Sequence, residues 1–232
     1  ITALNRAAWN ASAPLHGTGA GWEDLCTVIT QGGSVLDYTI TAVLQDAGIA
    51  GARVVQVGCN NGREVFSAIS LGATQAWGID QSEGFLAQAA TLKALSPHKA
   101  QFLQADIYDL PADAPRDFDI AFITIGVLNW MPDLQRFLAA VASLLRKGGQ
   151  LIIYETHPML EMFDPASEKP YTPAFSYFRT EPHIETETIT YDGTGTADGP
   201  EAHWFPHTLS AIIQATLHAG LTLTALEIVL GI

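Results

Sequence analysis

The chain has 232 residues, 48% of them hydrophobic, and a formal net charge of −13 with 11 lysines and arginines. This length suits one α/β domain with an insertion, and the apolar share is enough for a sizeable core. The sequence contains no basic cluster, which disfavours nucleic acids and anionic membranes as partners, because both are bound through positive charge. Cys26 and Cys59 are too few for a disulfide framework or a zinc site.

The ends of the sequence and its hydropathy give expectations about location. No apolar run is long enough to cross a bilayer, and the N-terminal residues lack the layout of a secretory signal. We therefore expect a cytoplasmic protein with no membrane partner. The first residue is Ile1 instead of Met, so we expect the given sequence to be part of a longer gene product.

The first two thirds of the chain predict a helical cap followed by alternating strands and helices. Residues 1–50 form the cap, in which apolar side chains have helical spacing over 37–47. The core, 51–156, has predicted strands at 54–57, 77–79, 101–105, 118–125 and 151–155. Its predicted helices cover 63–70, 83–95 and 134–145, the last closed by Lys147-Gly148-Gly149. This alternation predicts a doubly wound, mainly parallel Rossmann-like sheet with helices on both faces.

The last third breaks this rhythm. Residues 157–206 are rich in proline and aromatic side chains, and the alternation from Ile184 to Thr190 predicts a strand or hairpin. We interpret this segment as a lid or substrate insertion after the fifth strand. Residues 207–232 are predicted to complete the core with a helix at 208–219 and a strand at 221–229.

The turn after the first strand, Gly58-Cys59-Asn60-Asn61-Gly62, opens a helix. Such a turn presents backbone N–H groups to a ligand at the strand end. Asp80, at the end of the second strand, can accept both hydroxyls of a ribose. Together they indicate a nucleoside-containing cofactor. A dinucleotide motif needs glycine at the positions of Asn60 and Arg63, and an arginine there prevents close helix–strand packing.

The whole pattern resembles the class I S-adenosylmethionine-dependent methyltransferases, whose first motif is similar to V-L-D-L-G-C-G-T-G. The resemblance rests on five segments in the family's order: Val54 to Gly62, Gly78-Ile79-Asp80, Ala105-Asp106-Ile107, Asp117 to Ala121, and Leu144 to Leu151. One such segment is weakly specific, whereas five in order at family spacing are strong. The resemblance implies the class I methyltransferase fold, S-adenosylmethionine as cofactor and S-adenosylhomocysteine as product.

The resemblance also assigns residues to parts of the cofactor. Gly58, Cys59, Asn60 and Gly62 belong to the turn against its methionine part. Asp80 is expected to hold the ribose hydroxyls, with Gln81 beside the adenine. Asp106 is expected to accept the adenine amino group, and Ile107 to pack on the ring. Thr124, Ile125 and Gly126 are expected to line the cofactor after the fourth strand.

Two residues depart from the family pattern, and two others have simpler alternatives. Gln56 stands where the family has an acidic residue near the methionine end, and Asn60 replaces a glycine. Asparagine tolerates left-handed backbone, so the turn can survive. Asp80 could instead be a helix N-cap, and Asp106 an ordinary turn residue.

The resemblance places the methyl acceptor beyond the fourth and fifth strands, under the N-terminal helix and the insertion. The substrate candidates are Trp9, His16, Asn129, Trp130, Tyr177, Phe178, Trp204 and His207. Aromatic side chains suit a flat or cationic acceptor. His157 and Glu155, two residues apart after the fifth strand, are the candidate catalytic pair, with His157 as base. The alternative for His157 is a solvated loop histidine.

The sequence thus predicts methyl transfer from S-adenosylmethionine to a small-molecule metabolite by in-line displacement, with no metal and no nucleic-acid partner. It leaves open whether nitrogen, oxygen or carbon is methylated, and which oligomer forms. The first alternative is a non-catalytic, cofactor-binding regulatory subunit, which Gln56 and the short C-terminus favour. The second is a nucleotide-sugar or dinucleotide enzyme, which Arg63 disfavours.

Overall fold

A computed structural model of the protein describes residues 1–190 and 198–229. The helices in these ranges are α1 (Thr2–His16), α2 (Gly19–Thr30), α3 (Tyr38–Asp46), α4 (Arg63–Ser70), α5 (Glu83–Leu95), α6 (Leu134–Ala142) and α7 (Leu209–His218). The strands are β1 (Arg53–Val57), β2 (Gln75–Asp80), β3 (Gln101–Gln104), β4 (Phe118–Ile123), β5 (Leu145–Ile153), β6 (His183–Glu187) and β7 (Asp198–Trp204). Three short 3₁₀ helices lie at Ile107–Asp109, Leu128–Trp130 and Pro158–Met162.

The five strands β1 to β5 form one parallel sheet in the order β3-β2-β1-β4-β5. In the centre of the sheet Val55 pairs with Trp77 of β2 on one side and with Ala121 of β4 on the other. The strand order reverses between β1 and β4, and ligands of such sheets bind outside the carboxyl ends at this point. The predicted doubly wound parallel sheet is confirmed.

Helices cover both faces of the sheet, as the continuous apolar strands predict. On one face Val54 and Phe122 pack with buried residues of α2 to α5, such as Phe66. On the other face Val57 and Ile123 pack with α6, α7 and neighbouring loops. Successive residues of a strand point to opposite faces, so both faces of the sheet are buried under helices. A ligand site is therefore expected at the ends of the strands, where polar residues lie.

Side chains that cap helices fix where the main elements begin. Ser82 accepts a hydrogen bond from the backbone N–H of Phe85 at the start of α5, and Asp133 accepts one from Arg136 at the start of α6. Each cap satisfies one of the N–H groups that a first helical turn leaves without a partner. The caps also fix the loops that leave β2 and β4, which border the site.

Helix α1 and the insertion pack together above the sheet. β6 and β7 form a separate antiparallel pair in which His183 lies opposite Trp204, so the predicted hairpin forms within the insertion. The side chain of Asn5 in α1 accepts from the backbone N–H of His203 at 2.8 Å and donates to its carbonyl at 3.0 Å. Ser12 of α1 accepts from the backbone N–H of Ile189 at 2.8 Å. The predicted role of this segment as a lid stays a prediction.

The predicted boundary between α6 and β5 is wrong, and the strand predicted at 118–125 ends at Ile123. Helix α6 ends at Ala142, and Lys147-Gly148-Gly149 lie within β5 instead of closing the helix. The reason is that Leu145 already pairs with Phe118, after which the register shifts before Gln150 pairs with Ile120. The apolar pattern of α6 continues through buried Leu144 because that residue still faces the core.

The strand predicted at 221–229 does not form in the described residues, so this segment does not complete the core. Leu226 is 55% exposed and Ile228 73% exposed. Strand β5 lies at the sheet edge and pairs there with β4 alone among the described strands, so no ladder reaches this segment. An apolar run favours a strand only where a neighbouring strand supplies its hydrogen bonds. The final residues, 230–232, lie outside the described residues.

No helix within 1–190 or 198–229 has the length and apolarity needed to span a bilayer. In the same residues, no three histidine, cysteine, aspartate or glutamate side chains come close enough together to hold a metal ion.

Candidate active site

A cavity of about 380 Å³ opens at the carboxyl ends of β1, β2 and β4, where the order of the sheet reverses. Its floor is the turn after β1, and α1 and β7 lie across its far side. Ten of the eleven predicted cofactor residues line it: Gly58, Cys59, Asn60, Asp80, Gln81, Asp106, Ile107, Thr124, Ile125 and Gly126. Residues far apart in the chain are thus brought to the wall of one cavity.

Gly62, the remaining predicted cofactor residue, does not line the cavity. It has left-handed backbone with φ of +76°, and a Cβ at this position would collide with the ring of Phe102. Glycine is therefore required here by the turn and by the packing of α4 on β3. Its part in the site is to let the turn close.

Asn60 adopts left-handed backbone with φ of +53°. This conformation is the one expected for a residue that replaces a glycine in the turn. Its backbone N–H donates to Oδ2 of Asp80 at 2.7 Å, and its side-chain Oδ1 accepts from the backbone N–H of Asn61 at 2.8 Å. The asparagine thus stabilises the turn with its own side chain, and it ties the turn to the end of β2.

Asp80 joins the two strand ends at the centre of the site. Its Oδ1 accepts from the backbone N–H of Ser82 at 2.9 Å, while Oδ2 accepts from Asn60. Burial raises the pKa of this carboxyl, and the N–H groups of Ser82, Asn60 and Gln81 oppose that shift. The N-cap of α5 is Ser82, so the alternative in which Asp80 merely caps that helix is wrong.

Asp106 lies at the end of β3 and also lines the cavity. Its Oδ1 accepts from the backbone N–H of Tyr108 at 2.9 Å, which caps the short helix Ile107–Asp109. The turn role is therefore present, and it coexists with exposure of the carboxylate to the cavity. Ile107 is buried beside it.

A polar network surrounds Gln56, the residue that replaces the usual acid. The amide Nε2 of Gln56 donates to Oε2 of Glu64 and to Oγ1 of Thr124, the latter at 3.1 Å. Thr124 in turn donates to the same Glu64 oxygen at 2.7 Å. All three side chains border the cavity, so α4 delivers a carboxylate to the place where β1 has none.

Glu64 is a site residue that the sequence analysis missed. The signal was its place in the first turn of α4, directly after the glycine turn, where an acid also complements the helix dipole. Its carboxylate interacts with Gln56 through a contact that only the fold reveals.

Cys59 lies on the cavity floor and is 3% exposed. Burial, reinforced by the negative charge of Asp80, raises the pKa of its thiol well above the ordinary value. A protonated thiol is a poor nucleophile. Its contribution is therefore packing.

Three of the predicted substrate residues, Trp9, Trp130 and Trp204, line the far side of the cavity. They come from α1, from the 3₁₀ helix after β4, and from β7. The indole rings of Trp9 and Trp130 are 5.2 Å apart at 72°, and those of Trp130 and Trp204 are 5.1 Å apart at 89°. These edge-to-face contacts make one aromatic surface, which we call the tryptophan wall.

Asn129 and His207 hold the insertion to the loop after β4 and do not line the cavity. Asn129 donates to the carbonyl of Phe205 at 3.0 Å. Nε2 of His207 donates to the carbonyls of Leu128 and Met131 at 3.1 and 3.0 Å, and burial lowers the pKa of this histidine. Both side chains position the tryptophan wall from behind.

The remaining substrate candidates also lie off the cavity wall. Nε2 of His16 is 2.8 Å from the carbonyl of Ile189, and its ring packs on Phe85. The hydroxyl of Tyr177 accepts from the backbone N–H of Leu209 at 2.9 Å, and Phe178 is 77% exposed. These contacts fix the insertion and the start of α7.

Neither member of the predicted catalytic pair lines the cavity. The carboxylate of Glu155 accepts from the backbone N–H of Gly126 at 2.7 and 2.9 Å and from that of Leu128 at 3.4 Å. Burial raises the pKa of Glu155, and these N–H groups oppose the shift. Nδ1 of His157 accepts from the backbone N–H of Met159 at 3.1 Å and caps a short helix. Their catalytic role stays a prediction.

Comparison with known proteins gives one family match and several partial relatives. Residues 55–151 match the family described as methyltransferase domain. A tRNA U34 carboxymethyltransferase of Idiomarina loihiensis is 35% identical over 109 residues, which are 45% of this chain and 33% of that protein. A ubiquinone biosynthesis O-methyltransferase of Aromatoleum aromaticum is 35% identical over 107 residues, covering 46% of this chain and 45% of that protein. The chain thus spans less than half the length of these relatives.

A solved structure extends the likeness to the fold. An S-adenosylmethionine-dependent methyltransferase of Clostridium acetobutylicum superposes with a TM-score of 0.56 at 15% identity, over 86% of either chain. The matched domain, the sheet order and the glycine–asparagine turn agree with the family resemblance of the sequence. Residues 55–151 are thus similar to a methyltransferase domain, and the described chain has the fold of a class I S-adenosylmethionine-dependent methyltransferase.

Proposed function

We propose that the protein transfers a methyl group from S-adenosylmethionine to a small-molecule acceptor. One observation carries this proposal. The carboxylates of Asp80 and Asp106, from two successive strand ends, border the same cavity as the left-handed turn at Asn60. Acidic groups at these points suit the ribose hydroxyls and the adenine amino group of a nucleoside.

The methionine end of the cavity also fits this cofactor. Oε1 of Gln56 accepts no hydrogen bond from the described residues, and Gln56 is buried, at 1% exposed. A buried acceptor left without a donor is costly, so this oxygen favours a ligand that brings one. The ammonium of the cofactor supplies such donors, and Glu64 supplies the opposite charge.

The residues then divide the work of binding and alignment. Asp80 holds the ribose, Asp106 the adenine amino group, and Ile107 packs on the adenine ring. Gln56 and Glu64 hold the amino-acid end. The cofactor carries its methyl group on a sulfonium, whose sulfur is an excellent leaving group. The protein's own task is to orient the acceptor and to exclude water.

A small-molecule acceptor is supported by charge and by enclosure. The chain carries −13 with 11 lysines and arginines, whereas tRNA is bound through basic surfaces. The tryptophan wall closes the far side of the cavity with apolar rings from α1 and β7. Enclosed, mostly apolar sites with a few polar groups are typical of small-molecule binding.

Calorimetry with S-adenosylmethionine, S-adenosylhomocysteine and NAD on the purified chain tests the cofactor. We expect both sulfur compounds to bind and NAD to give no response. The variant Asp80→Asn serves as the control, and it should bind both sulfur compounds more weakly. Formation of S-adenosylhomocysteine in the presence of an acceptor panel then separates an enzyme from a non-catalytic binding subunit. Folded protein that binds neither sulfur compound would refute the proposed function.

A further inference from the structure

The tryptophan wall is held in place by a carboxylate behind it. The indole N–H of Trp204 donates to Oε2 of Glu161 at 2.7 Å. Burial and the negative charge of nearby Glu185 raise the pKa of Glu161, whereas the hydrogen bond from Trp204 opposes that shift and favours the ionised form. A carboxylate bonded to the N–H of an indole increases the negative character of the ring face. Tryptophan is the side chain whose face best attracts a cation.

The wall stands next to the cofactor loop. Trp204 is the member of the wall nearest to Gly126, since a Cβ on that glycine would lie 4.0 Å from Cη2 of the indole. Gly126 follows β4 and lines the cavity together with Thr124. An acceptor that reaches the reacting end of the cofactor therefore passes beside this ring.

The described residues that line the cavity include no histidine and no lysine. The hydroxyl of Tyr108 interacts with the backbone of Asp133, and burial is the main cause that raises its pKa to about 12. The lining carboxylates Glu64, Asp80 and Asp106 each accept hydrogen bonds within the protein. A nucleophile that must first lose a proton finds no ready base on this surface.

We propose that the methyl acceptor is a pyridine-type aromatic nitrogen, which is unprotonated at neutral pH, and that the tryptophan wall stabilises the positive charge that this nitrogen gains. The inference rests on the proposed function and adds the class of acceptor. In the reaction the nitrogen lone pair forms the new N–C bond, and the electron pair of the broken S–C bond stays on sulfur. The positive charge passes from sulfur to nitrogen, and no proton has to be removed.

Two other acceptor classes fit this surface less well. A phenol or alcohol needs a base, which the described cavity wall does not offer. A carboxylate needs no base, but the negative face of Trp204 with Glu161 behind it opposes an anion. The one basic side chain on the described wall is Arg63, which lies at the start of α4 instead of beside Trp204.

Binding of matched bicyclic probes to the protein saturated with S-adenosylhomocysteine tests the proposal without turnover. The probes are N-methylquinolinium, neutral quinoline and anionic 2-naphthoate, followed by calorimetry at neutral pH. We expect the cation to bind most tightly, by roughly 2- to 30-fold over quinoline, as expected for cation–π contacts of differing desolvation. Equal affinities, or preference for the anion, would overturn the proposal.

Variants locate the preference on the wall. Glu161→Gln keeps an acceptor for the indole N–H but removes the charge, so we expect the ratio of cation to quinoline affinity to fall. Trp204→Phe should lower the same ratio, whereas Trp22→Phe, in α2 away from the cavity, should leave it unchanged. A merely structural role of Glu161 would change both affinities equally, and that result would count against the proposal.

A turnover panel completes the test. Quinoline-type acceptors should yield S-adenosylhomocysteine, whereas 2-naphthol and 2-naphthoate should not. If S-adenosylhomocysteine itself fails to bind, the proposed function fails. If it binds and only the naphthol or naphthoate is methylated, the proposed function stands and the nitrogen acceptor is rejected.

Discussion

The amide of Gln56 donates a hydrogen bond to the carboxylate of Glu64, eight residues later on the first turn of the next helix. Both side chains border the cavity, and Thr124 joins them from β4. The family's acidic position at the end of the first strand is filled here by an amide. The negative charge is therefore supplied from α4 to the same end of the cavity.

This arrangement predicts that Glu64→Gln weakens binding of S-adenosylhomocysteine. A charge-assisted hydrogen bond is worth about 1.5–3 kcal/mol, so the dissociation constant should rise by roughly one to two orders of magnitude. Calorimetry on the variant measures the change. Methylthioadenosine, which has the nucleoside but no amino-acid part, should bind the variant as it binds the wild type.

Exchanging the two side chains provides a control. Gln56→Glu alone places a second carboxylate beside Glu64, and the repulsion should weaken binding. The double variant Gln56→Glu with Glu64→Gln restores one acid and one amide, and we expect part of the affinity to return. Additive losses in the double variant would contradict a shared ammonium site.

Asp80 gives the cofactor affinity a predicted pH dependence. Because burial raises the pKa of this carboxyl, the protein without ligand takes up its proton at a higher pH than an ordinary aspartic acid does. Only the ionised form accepts hydrogen bonds from two ribose hydroxyls. Affinity for S-adenosylhomocysteine should therefore be greatest above this pKa and should fall as the pH drops through it.

Asp80→Asn is the matched control for that dependence. It should bind more weakly at neutral pH, by about 1.5–3 kcal/mol for each charge-assisted hydrogen bond lost, and the acid-side fall should disappear. Titration of affinity against pH for both proteins distinguishes Asp80 from other groups. A variant that keeps the wild-type pH profile would remove Asp80 from the ribose site.

Elements with local signals in the sequence are predicted well, whereas elements that depend on contacts between distant residues are not. Helices α4 and α5 were predicted at their observed bounds, since glycine, serine and proline signals beside them are local. Most residues that line the cavity can be named from the sequence, because the motifs that carry the family resemblance follow one another in order along the chain. The segment at 221–229 was mispredicted because its strand needed a partner that the sheet order does not provide.

Side-chain roles on the acceptor side depended on contacts that no local pattern reveals. His207 and Asn129 were candidates for substrate contact, yet both bind backbone carbonyls of neighbouring loops. Glu64 was overlooked because its partner Gln56 lies on another element. A histidine or amide near a strand end is thus ambiguous until its hydrogen-bond partners are known.

Glu155 is predicted to stabilise the loop after β4. Removing the carboxylate with Glu155→Ala leaves the N–H groups of Gly126 and Leu128 without this acceptor, which should lower the free energy of unfolding by about 1–3 kcal/mol. Urea denaturation measures the loss. Thr156→Ala removes an exposed hydroxyl that donates a long hydrogen bond, 3.4 Å, to Glu155, and it should have little effect on stability.

His157→Ala tests the catalytic role that the sequence predicts for the histidine. A general base contributes about 10²- to 10⁴-fold to rate, so a base role requires a fall of that size at unchanged cofactor affinity. The position of His157 as a cap outside the cavity wall leads us to expect a smaller fall. Rates on one acceptor, together with calorimetry, decide between the two.

Asn5 is predicted to be the main polar link between α1 and the insertion. It is 1% exposed, and its amide donates to the carbonyls of His203 and Trp130 at 3.0 and 3.4 Å while Oδ1 accepts from His203. Asn5→Ala leaves these buried backbone groups without partners, at a cost of about 1–3 kcal/mol. Because Trp9, Trp130 and Trp204 are positioned by these elements, acceptor affinity should fall with stability while S-adenosylhomocysteine affinity changes less.

Thr27→Ala on α2, which removes an exposed hydroxyl hydrogen bond, serves as the control. Wild-type stability and acceptor affinity in Asn5→Ala would show that α1 and β7 hold the wall without this link.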